Sequence, residues 1–596
     1  MFKRQSGKNK SYVRQLSCIA KYLIPSFLLV FLGIVFFSSA GRDDAYIAYW
    51  SSYSLARFGE ILNYNGERVE QGSSLLQVLV LAFINALSGI NIASLGKILS
   101  VLCGVLGLAA VYRLALKVRC QSGFYTALLT ATSVYFIYWS FGGLESTIVS
   151  LVTLLLILSY GAYVTESRRI HLVCSIVVTP LFATVRPEMP IVLTCILVGT
   201  IVVVYLKKHI SVSNSETSCQ VFLLRLFKLL GISIIICMLV FAFRIWYFNS
   251  LFPQPVSAKS EGVSWMVFKS GAHYFLEQTL MSPSMAIIAL VTTCGVGYAI
   301  QKQCTENRIS PYILLSLLFL GTYISFIFFS GGDWMEGGRF LVHMLPVAVM
   351  FIPFLLNSLI KSRLVLRGTI LLLFAVQMQA IVNFAKTQST GMPVWDGFDH
   401  YKSFALEYRA SDFSWFERTN RVNMRDIPAV YQLNHIVERL LAYKNDEVHI
   451  MSMQMGMVAY YIVKKHFGRV RTVDMRGLTD RIFTGCDITS NLPRSQKGLD
   501  LTYQYYFTNR EAIEKKSGLD GPDIIFDLFG DLIRPQTVVD YGYRILYVQI
   551  GKVHSNSKWL PGRSIFATQF IAVRNDLEVA LADFKRTKLS FQQLQP

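Results

Sequence analysis

The sequence predicts a polytopic α-helical membrane protein with a soluble α/β domain at its C-terminal end. Three observations predict it. Of 596 residues, 53% are hydrophobic and only 16% are charged, against about 25% charged in an average soluble domain. Apolar runs near the ~20 residues that cross a bilayer recur from residue 22 to about 385. Residues 386–596 return to ordinary soluble composition. This pattern excludes a disordered chain, a collagen and a small disulfide scaffold. It divides the chain into a membrane domain, 1–385, and a water-facing domain, 386–596.

The formal charge of +20, from 57 Lys+Arg against 37 Asp+Glu, is not a nucleic-acid signal. The basic residues cluster in short loops between apolar runs, which is the positive-inside pattern rather than a basic binding face. The N-terminal segment carries Lys3, Arg4, Lys8, Lys10, Arg14 and Lys21 and no acid. It is expected to stay in the cytoplasm, so the first span, 22–40, exits to the far side. A cleaved signal peptide ending at Ser38-Ser39-Ala40 is the alternative. Further spans are expected at 94–116, 123–139, 147–163, 170–185, 189–206, 228–247, 284–301, 310–330, 340–357 and 368–385. With about eleven spans, the basic loops at Lys117/Arg119, Arg168/Arg169, 207–228, Lys302/Arg308 and 361–367 all fall in the cytoplasm. One more apolar run, 73–90, would break that alternation if it crossed, and reads as an interfacial or re-entrant helix in the first outer loop, 41–93. The C-terminal domain then lies outside the cytoplasm. Cys486 is its single cysteine among ten in the chain, so it holds no internal disulfide. No metal-type Cys/His spacing and no internal repeat occurs.

Within 386–596, alternation predicts strands at 447–453, 523–526 and 543–549, and periodicity predicts helices at 426–443 and 457–464. Met451, Met453, Met455 and Met457 read as packing. Trp395, Tyr401, Trp415, Tyr503, Tyr505, Tyr506 and Trp559 are core aromatics or a sugar-stacking surface.

The polar residues of the membrane domain gather at the non-cytoplasmic ends of the spans. They are Asp43-Asp44, Glu70, Glu145, Arg186-Pro187-Glu188, Lys259, and Asp333 with Arg339 inside the double Gly-Gly loop 331–339. Charge beside several helices at a membrane boundary is costly unless it pairs or works. One aspartate of the pair could cap the amphipathic stretch that follows, and Glu145 could cap a helix. Arg186 could snorkel. Tyr46, Tyr49, Trp50 and Tyr53 read first as an interfacial aromatic belt. Taken together the charges outline a wet cavity. A lipid-phosphate donor asks for such a set: guanidinium or ammonium groups for the phosphate, a carboxylate base for an acceptor hydroxyl, and an apolar groove for the tail. The paired aspartates could also hold a divalent cation bridging the phosphate.

Several segments resemble a bacterial GT-C glycosyltransferase family, similar to the terminal arabinofuranosyltransferases of the mycobacterial cell wall. They are Asp43-Asp44-Ala45-Tyr46-Ile47 with Asn65-Gly66-Glu67-Arg68-Val69-Glu70, Gly143-Leu144-Glu145, and Arg186-Pro187-Glu188. Leu251-Phe252-Pro253 with Ala258-Lys259, Gly338-Arg339-Phe340-Leu341, and Val473-Asp474-Met475-Arg476-Gly477-Leu478-Thr479-Asp480 follow in the same order. The resemblance implies a GT-C fold and a polyprenyl-phosphate sugar donor, arabinofuranose being one candidate sugar. It implies an envelope polysaccharide or glycolipid acceptor at the periplasmic face of a bacterial inner membrane. It also implies a base in the first outer loop, Asp43 with Asp44 orienting the acceptor or a cation, or the two exchanged. Glu70, Glu145, Arg186, Glu188, Lys259, Asp333 and Arg339 would bind substrate. A departure is Glu70-Gln71-Gly72-Ser73-Ser74, where the family commonly has Glu-Gly-Tyr-Thr. A transporter or flippase of lipid-linked sugars is the rival reading.

Overall fold

The computed structural model describes residues 21–37, 43–118, 123–206, 211–212, 219–259, 264–305, 308–333, 335, 337–390, 421–452, 455–475, 477–479, 481, 506–508, 511, 521–527, 535–554 and 564–581. The side chains of Lys259, 386–390 and 421–429 are also outside the description. So are Ser38-Ser39-Ala40, Arg119, Met453, Arg476, Asp480, Cys486 and the aromatics Trp395, Tyr401, Trp415, Tyr503, Tyr505 and Trp559.

Among the described residues, eight helices are long and apolar enough to cross a membrane. They are α4 (Ile92–Lys117), α7 (Ser146–Glu166), α9 (Met189–Leu206), α10 (Cys219–Phe248), α13 (Pro283–Thr305), α14 (Pro311–Phe329), the bent pair α15 (Arg339–Val349) and α16 (Phe351–Leu359), and α17 (Arg363–Thr390). Helices α1 (Lys21–Phe37) and α8 (Arg169–Val185) are shorter and apolar. A further predicted span is broken into α5 (Gly123–Ala131) and α6 (Val134–Ser140). Broken backbone at membrane depth needs partners from its neighbours. Gln377 of α17 supplies them: its amide donates to Leu129 O (3.0 Å) and Ser133 Oγ (3.2 Å), and Thr132 Oγ1 donates to its carbonyl. Tyr160 joins Thr179 (2.7 Å) and Ser233 (2.9 Å), knitting α7, α8 and α10 together.

Two helices lie between spans on one face of the bundle. The amphipathic stretch α2 (Ala45–Phe58) carries the segment that follows the two aspartates. Helix α3 (Leu75–Ser88) is the apolar run that would upset the alternation. Ser74 caps its start by accepting from Gln77 N (3.2 Å), and Gly89 ends it in left-handed geometry. Its 14 residues span only about 21 Å, short of the ~30 Å hydrocarbon core. Leu79, Phe83 and Leu87 form its exposed ridge.

Short α11 (Gln254–Lys259) and the 16-residue α12 (Trp265–Leu280) follow. The apolar-run reading misses α12, because Lys269, His273 and Glu277, four residues apart along one side, break the run in sequence. At the opposite face the two-residue strands β1 (Ser211–Val212) and β2 (Arg308–Ile309) pair in parallel. There Glu166 gathers Lys117 (3.1 Å), Arg168 (3.6 Å) and His171 (3.1 Å).

The C-terminal region is mixed α/β. Strands β3 (Val448–Ser452), β4 (Val470–Asp474), β5 (Ile524–Asp527), β6 (Tyr543–His554) and β7 (Ser564–Arg574) form one sheet in the order β4-β3-β5-β7-β6. β3 runs parallel to β4 and β5, while β7 is antiparallel to β5 and β6. Strand alternation splits the sheet's apolar residues. Ile450, Ile524, Ile571 and Val573 join a core with α18 (Arg421–Lys444) and α19 (Met457–His466). Met451, Ile525, Phe570 and Ala572 face Tyr506, Phe507 and Tyr543. The strands at β3, β5 and β6 and both helices lie where the sequence predicts them, and Met451, Met455 and Met457 are packed in the interior.

The sheet region docks on the membrane bundle through α19 and α2. Tyr46, Tyr49 and Trp50 are buried rather than forming an interfacial belt. Tyr46 meets Tyr460 edge-on at 5.5 Å between ring centres, Trp50 meets Phe467 at 5.4 Å, and Phe58 stacks on Phe467 at 4.8 Å. One side of α2 thus faces the spans and the other faces the C-terminal domain.

Candidate active site

The site lies at the span ends beneath the docked domain. Its first wall is the turn that opens α2, where Tyr46 N donates to Asp43 O (3.0 Å) and Ile47 N to Asp44 O (3.3 Å). Asp44 occupies the N-cap position and makes no side-chain cap bond. The Asp43 carboxylate is engaged elsewhere: its Oδ1 accepts from Met457 N, 2.6 Å away, at the start of α19.

The second wall is the segment before α7. Gly143 takes φ +77°, which a side chain resists. Its carbonyl then accepts from Tyr49 OH (2.8 Å) and Gln77 Nε2 (3.0 Å), binding the segment to α2 and α3. That aims Glu145 at Arg186, the residue between α8 and α9. Arg186 Nη1 donates to Glu145, and its Nε donates to Glu188 Oε1 at 2.5 Å. Ser73 Oγ also reaches Glu145 (3.2 Å).

The third wall is the double-glycine loop before α15. Gly331, Gly332, Gly337 and Gly338 all take positive φ, which explains why four glycines frame one aspartate. Trp139 Nε1 holds the Gly337 carbonyl (2.6 Å) and Ser270 Oγ of α12 holds that of Gly331 (3.0 Å). Asp333 Oδ2 accepts from Arg339 Nε at 2.7 Å. Both guanidiniums lie over Phe340, at 5.0 Å for Arg186 and 5.5 Å for Arg339.

These charges form one electrostatic unit. Burial pushes the Glu145 carboxyl up, but Arg186 and then Arg339 outweigh it and hold the group below its usual range. Arg339 is in turn within electrostatic reach of Asp333, Glu145, Arg186 and Asp44. Asp44, Glu145, Arg186, Glu188, Asp333 and Arg339, read from four separated stretches of sequence, therefore converge. Sequence reasoning missed Lys97 of α4. It is buried, and its Cγ lies 3.6 Å from where a Cβ on Gly143 would stand. A lone lysine inside an apolar run was the available signal.

Glu70 stands apart. Its two oxygens accept from Arg244 Nε (2.9 Å) and Nη2 (3.1 Å) in a bidentate pair buried within α10. Burial raises the Glu70 carboxyl against the pull of Arg244. Arg244 was also overlooked in the sequence, for the same reason as Lys97. Lys259 ends α11, near the Gln254 amide that donates to Glu70 O (2.9 Å). Among the described residues no group of three or more His, Cys, Asp or Glu side chains is placed to hold a metal ion. Of the paired aspartates, Asp43 bonds the start of α19 and Asp44 is within electrostatic reach of Arg339.

The Val473–Thr479 segment fastens the lid. Asp474 Oδ2 accepts from Leu478 N (2.8 Å), Thr479 N (2.9 Å) and Thr479 Oγ1 (3.0 Å). The loop so formed takes bonds from Asn63 Nδ2 at Thr479 O (3.1 Å) and from Gln254 Nε2 at Gly477 O (2.8 Å).

No protein-family model and no curated protein sequence matches the chain. Solved structures do. The oligosaccharyltransferase AglB from Archaeoglobus fulgidus, in complex with an inhibitory peptide and a dolichol-phosphate, aligns over 93% of this chain and 76% of its own at TM-score 0.50 and 12% identity. ArnT from Cupriavidus metallidurans aligns over 96% of this chain and 99% of its own at TM-score 0.50 and 13% identity. ArnT bound to undecaprenyl phosphate aligns over 93% and 98% at 12% identity. The chain therefore has the polytopic membrane fold of these GT-C glycosyltransferases, as the apolar spans and the ordered outer-loop motifs lead one to expect.

Proposed function

We propose that the protein is a membrane glycosyltransferase that moves one sugar from a polyprenyl-phosphate donor to a hydroxyl of a cell-envelope glycan. The supporting observation is the convergence of Arg186, Arg339 and Asp44 under the C-terminal domain. Arg339 gives its Nε to Asp333, and its two terminal amines are the fork for a phosphate. Asp44, on the first wall and within electrostatic reach of Arg339, is the general base, taking the acceptor proton as the hydroxyl attacks the anomeric carbon. Attack opposite the leaving phosphate inverts that carbon. Glu145, Glu188 and Asp333 hold the guanidiniums in place and keep them charged. The fold shared with proteins seen bound to dolichol-phosphate and undecaprenyl phosphate supports a lipid-phosphate donor. The basic loops at the opposite end support a cytoplasmic N-terminus and a periplasmic site in a bacterial inner membrane.

The test is sugar transfer by the purified protein from a panel of polyprenyl-phosphate sugars, with mass analysis of envelope glycans from cells with and without it. One sugar missing from the glycans identifies the donor and the acceptor. A transporter would instead move lipid-linked sugar across a vesicle membrane without transferring it, and Asp44→Asn would leave that movement unchanged; that outcome would remove the enzyme reading.

A further inference from the structure

Helix α19 begins without a cap of its own. Its N-cap is Gly456, no local side chain bonds its first turn, and no acid lies in that turn. Four amide donors at a helix start need acceptors. The acceptor comes from 414 residues away, where Asp43 Oδ1 takes the Met457 amide at 2.6 Å. The approach is so close that a Cβ on Gly456 would run into the Asp43 carboxylate. Further bonds surround this contact. The Tyr64 hydroxyl sits 3.4 Å from Tyr46 O and 3.3 Å from Gly456 O. Asn65 donates to Thr472 O (2.9 Å) and accepts from Thr472 N (2.7 Å), as a strand neighbour would.

A carboxylate spent on a helix amide is a poor proton acceptor, because that bond favours its charged form. It is well suited to another task. We propose that Asp43 is a positioning residue: by capping α19 from the first turn of α2, it lets the C-terminal domain fix that turn and so set Asp44 in the attack geometry. This deepens the transferase reading and rests on it. It also separates two adjacent aspartates into two roles, a cap and a base.

The experiment uses the full-length protein with its lipid-phosphate sugar donor and the variants Asp43→Asn, Asp43→Ala, Gly456→Ala and Asp44→Asn. Asp43→Ala and Gly456→Ala should each lower kcat about 100-fold with donor KM nearly constant, the usual cost of ~1 Å misplacement. Asp43→Asn should recover to within about tenfold of the parent, since an amide oxygen caps a helix about as well as a carboxylate. It should also keep the acid limb of the kcat–pH profile, whereas Asp44→Asn should lose both rate and limb. In hydrogen exchange, Asp43→Ala should speed the amides of Met457–His466 while β3 and β4 stay protected. If Asp43→Asn is as inactive as Asp43→Ala and the acid limb vanishes with it, Asp43 is the base and the proposal is wrong. Unchanged exchange in Asp43→Ala would also overturn it. If the parent protein transfers no sugar at all, the transferase reading fails, while the exchange result still decides whether the cap exists.

Discussion

Arg244 and Arg339 are both buried guanidiniums paired with a carboxylate, yet they sit in opposite kinds of site. Around Arg244 there is one acid, Glu70, and both of its oxygens are taken. Around Arg339 there are Asp333, Glu145, Arg186 and Asp44, and one guanidinium nitrogen carries its described bond. The Glu70 pair ties a loop to a helix through both carboxylate oxygens and leaves Arg244 Nη1 buried without a described hydrogen bond. The Arg339 site gathers several charges of both signs from separate segments in one place. Burial of one charge pair does not mark a functional site; the gathering of several buried charges does.

The largest effect that would break this contrast is on activity. Arg339→Ala should reduce kcat/KM at least about 100-fold, about 2.7 kcal/mol or more of lost transition-state binding. Asp44→Asn should match it through kcat. If Arg244→Met, paired with Glu70→Leu, loses as much activity as Arg339→Ala, the two sites are not different in kind.

The next effect is on stability. Arg244→Ala leaves Glu70 buried and unpaired and should cost about 3–5 kcal/mol, whereas the apolar double replacement should regain most of it. Thermal unfolding in detergent measures both. Gln377→Leu should cost about 1–3 kcal/mol by orphaning the carbonyl of Leu129 and the polar groups at the α5–α6 break. A cost near zero would mean that water satisfies the break.

The smallest effect sharpens the contrast through pH. Glu145 is held below its usual range, so its contribution is present above the ordinary carboxylate value and fades as pH falls through the depressed one. Glu70 is held above its range, so its penalty at neutral pH is relieved on acidification. The stability differences of Glu145→Gln and Glu70→Gln from the parent should therefore change in opposite directions between pH 7 and 4, by about 1 kcal/mol each. Parallel slopes would show that Arg244 and Arg186 act alike.

Much of this was legible in the sequence because a bilayer imposes simple rules. Apolar length located the spans, and basic loops ordered them. Charge at the same ends of the spans located Glu145, Arg186, Glu188, Asp333 and Arg339, because such charge is rare without a role. Helix α12 was hidden because its apolar sequence is interrupted once per turn, so it never forms a run. Lys97 and Arg244 were hidden because one cation among some twenty apolar residues barely changes a window average. The proposed division of labour between Asp43 and Asp44 was beyond reach: adjacent residues of one kind differ only in what meets them. What meets Asp43 is a backbone amide at Met457, and no pattern of side chains announces it.

The contact between Asp43 and Met457 also sets an order of events during biogenesis. A ribosome must add 414 more residues after Asp43 before its partner exists, roughly 20–80 s at ordinary elongation rates. Through that interval the first turn of α2 lacks its contact with Met457. On the transferase proposal, a copy truncated before Met457 would lack this cap and should transfer no sugar.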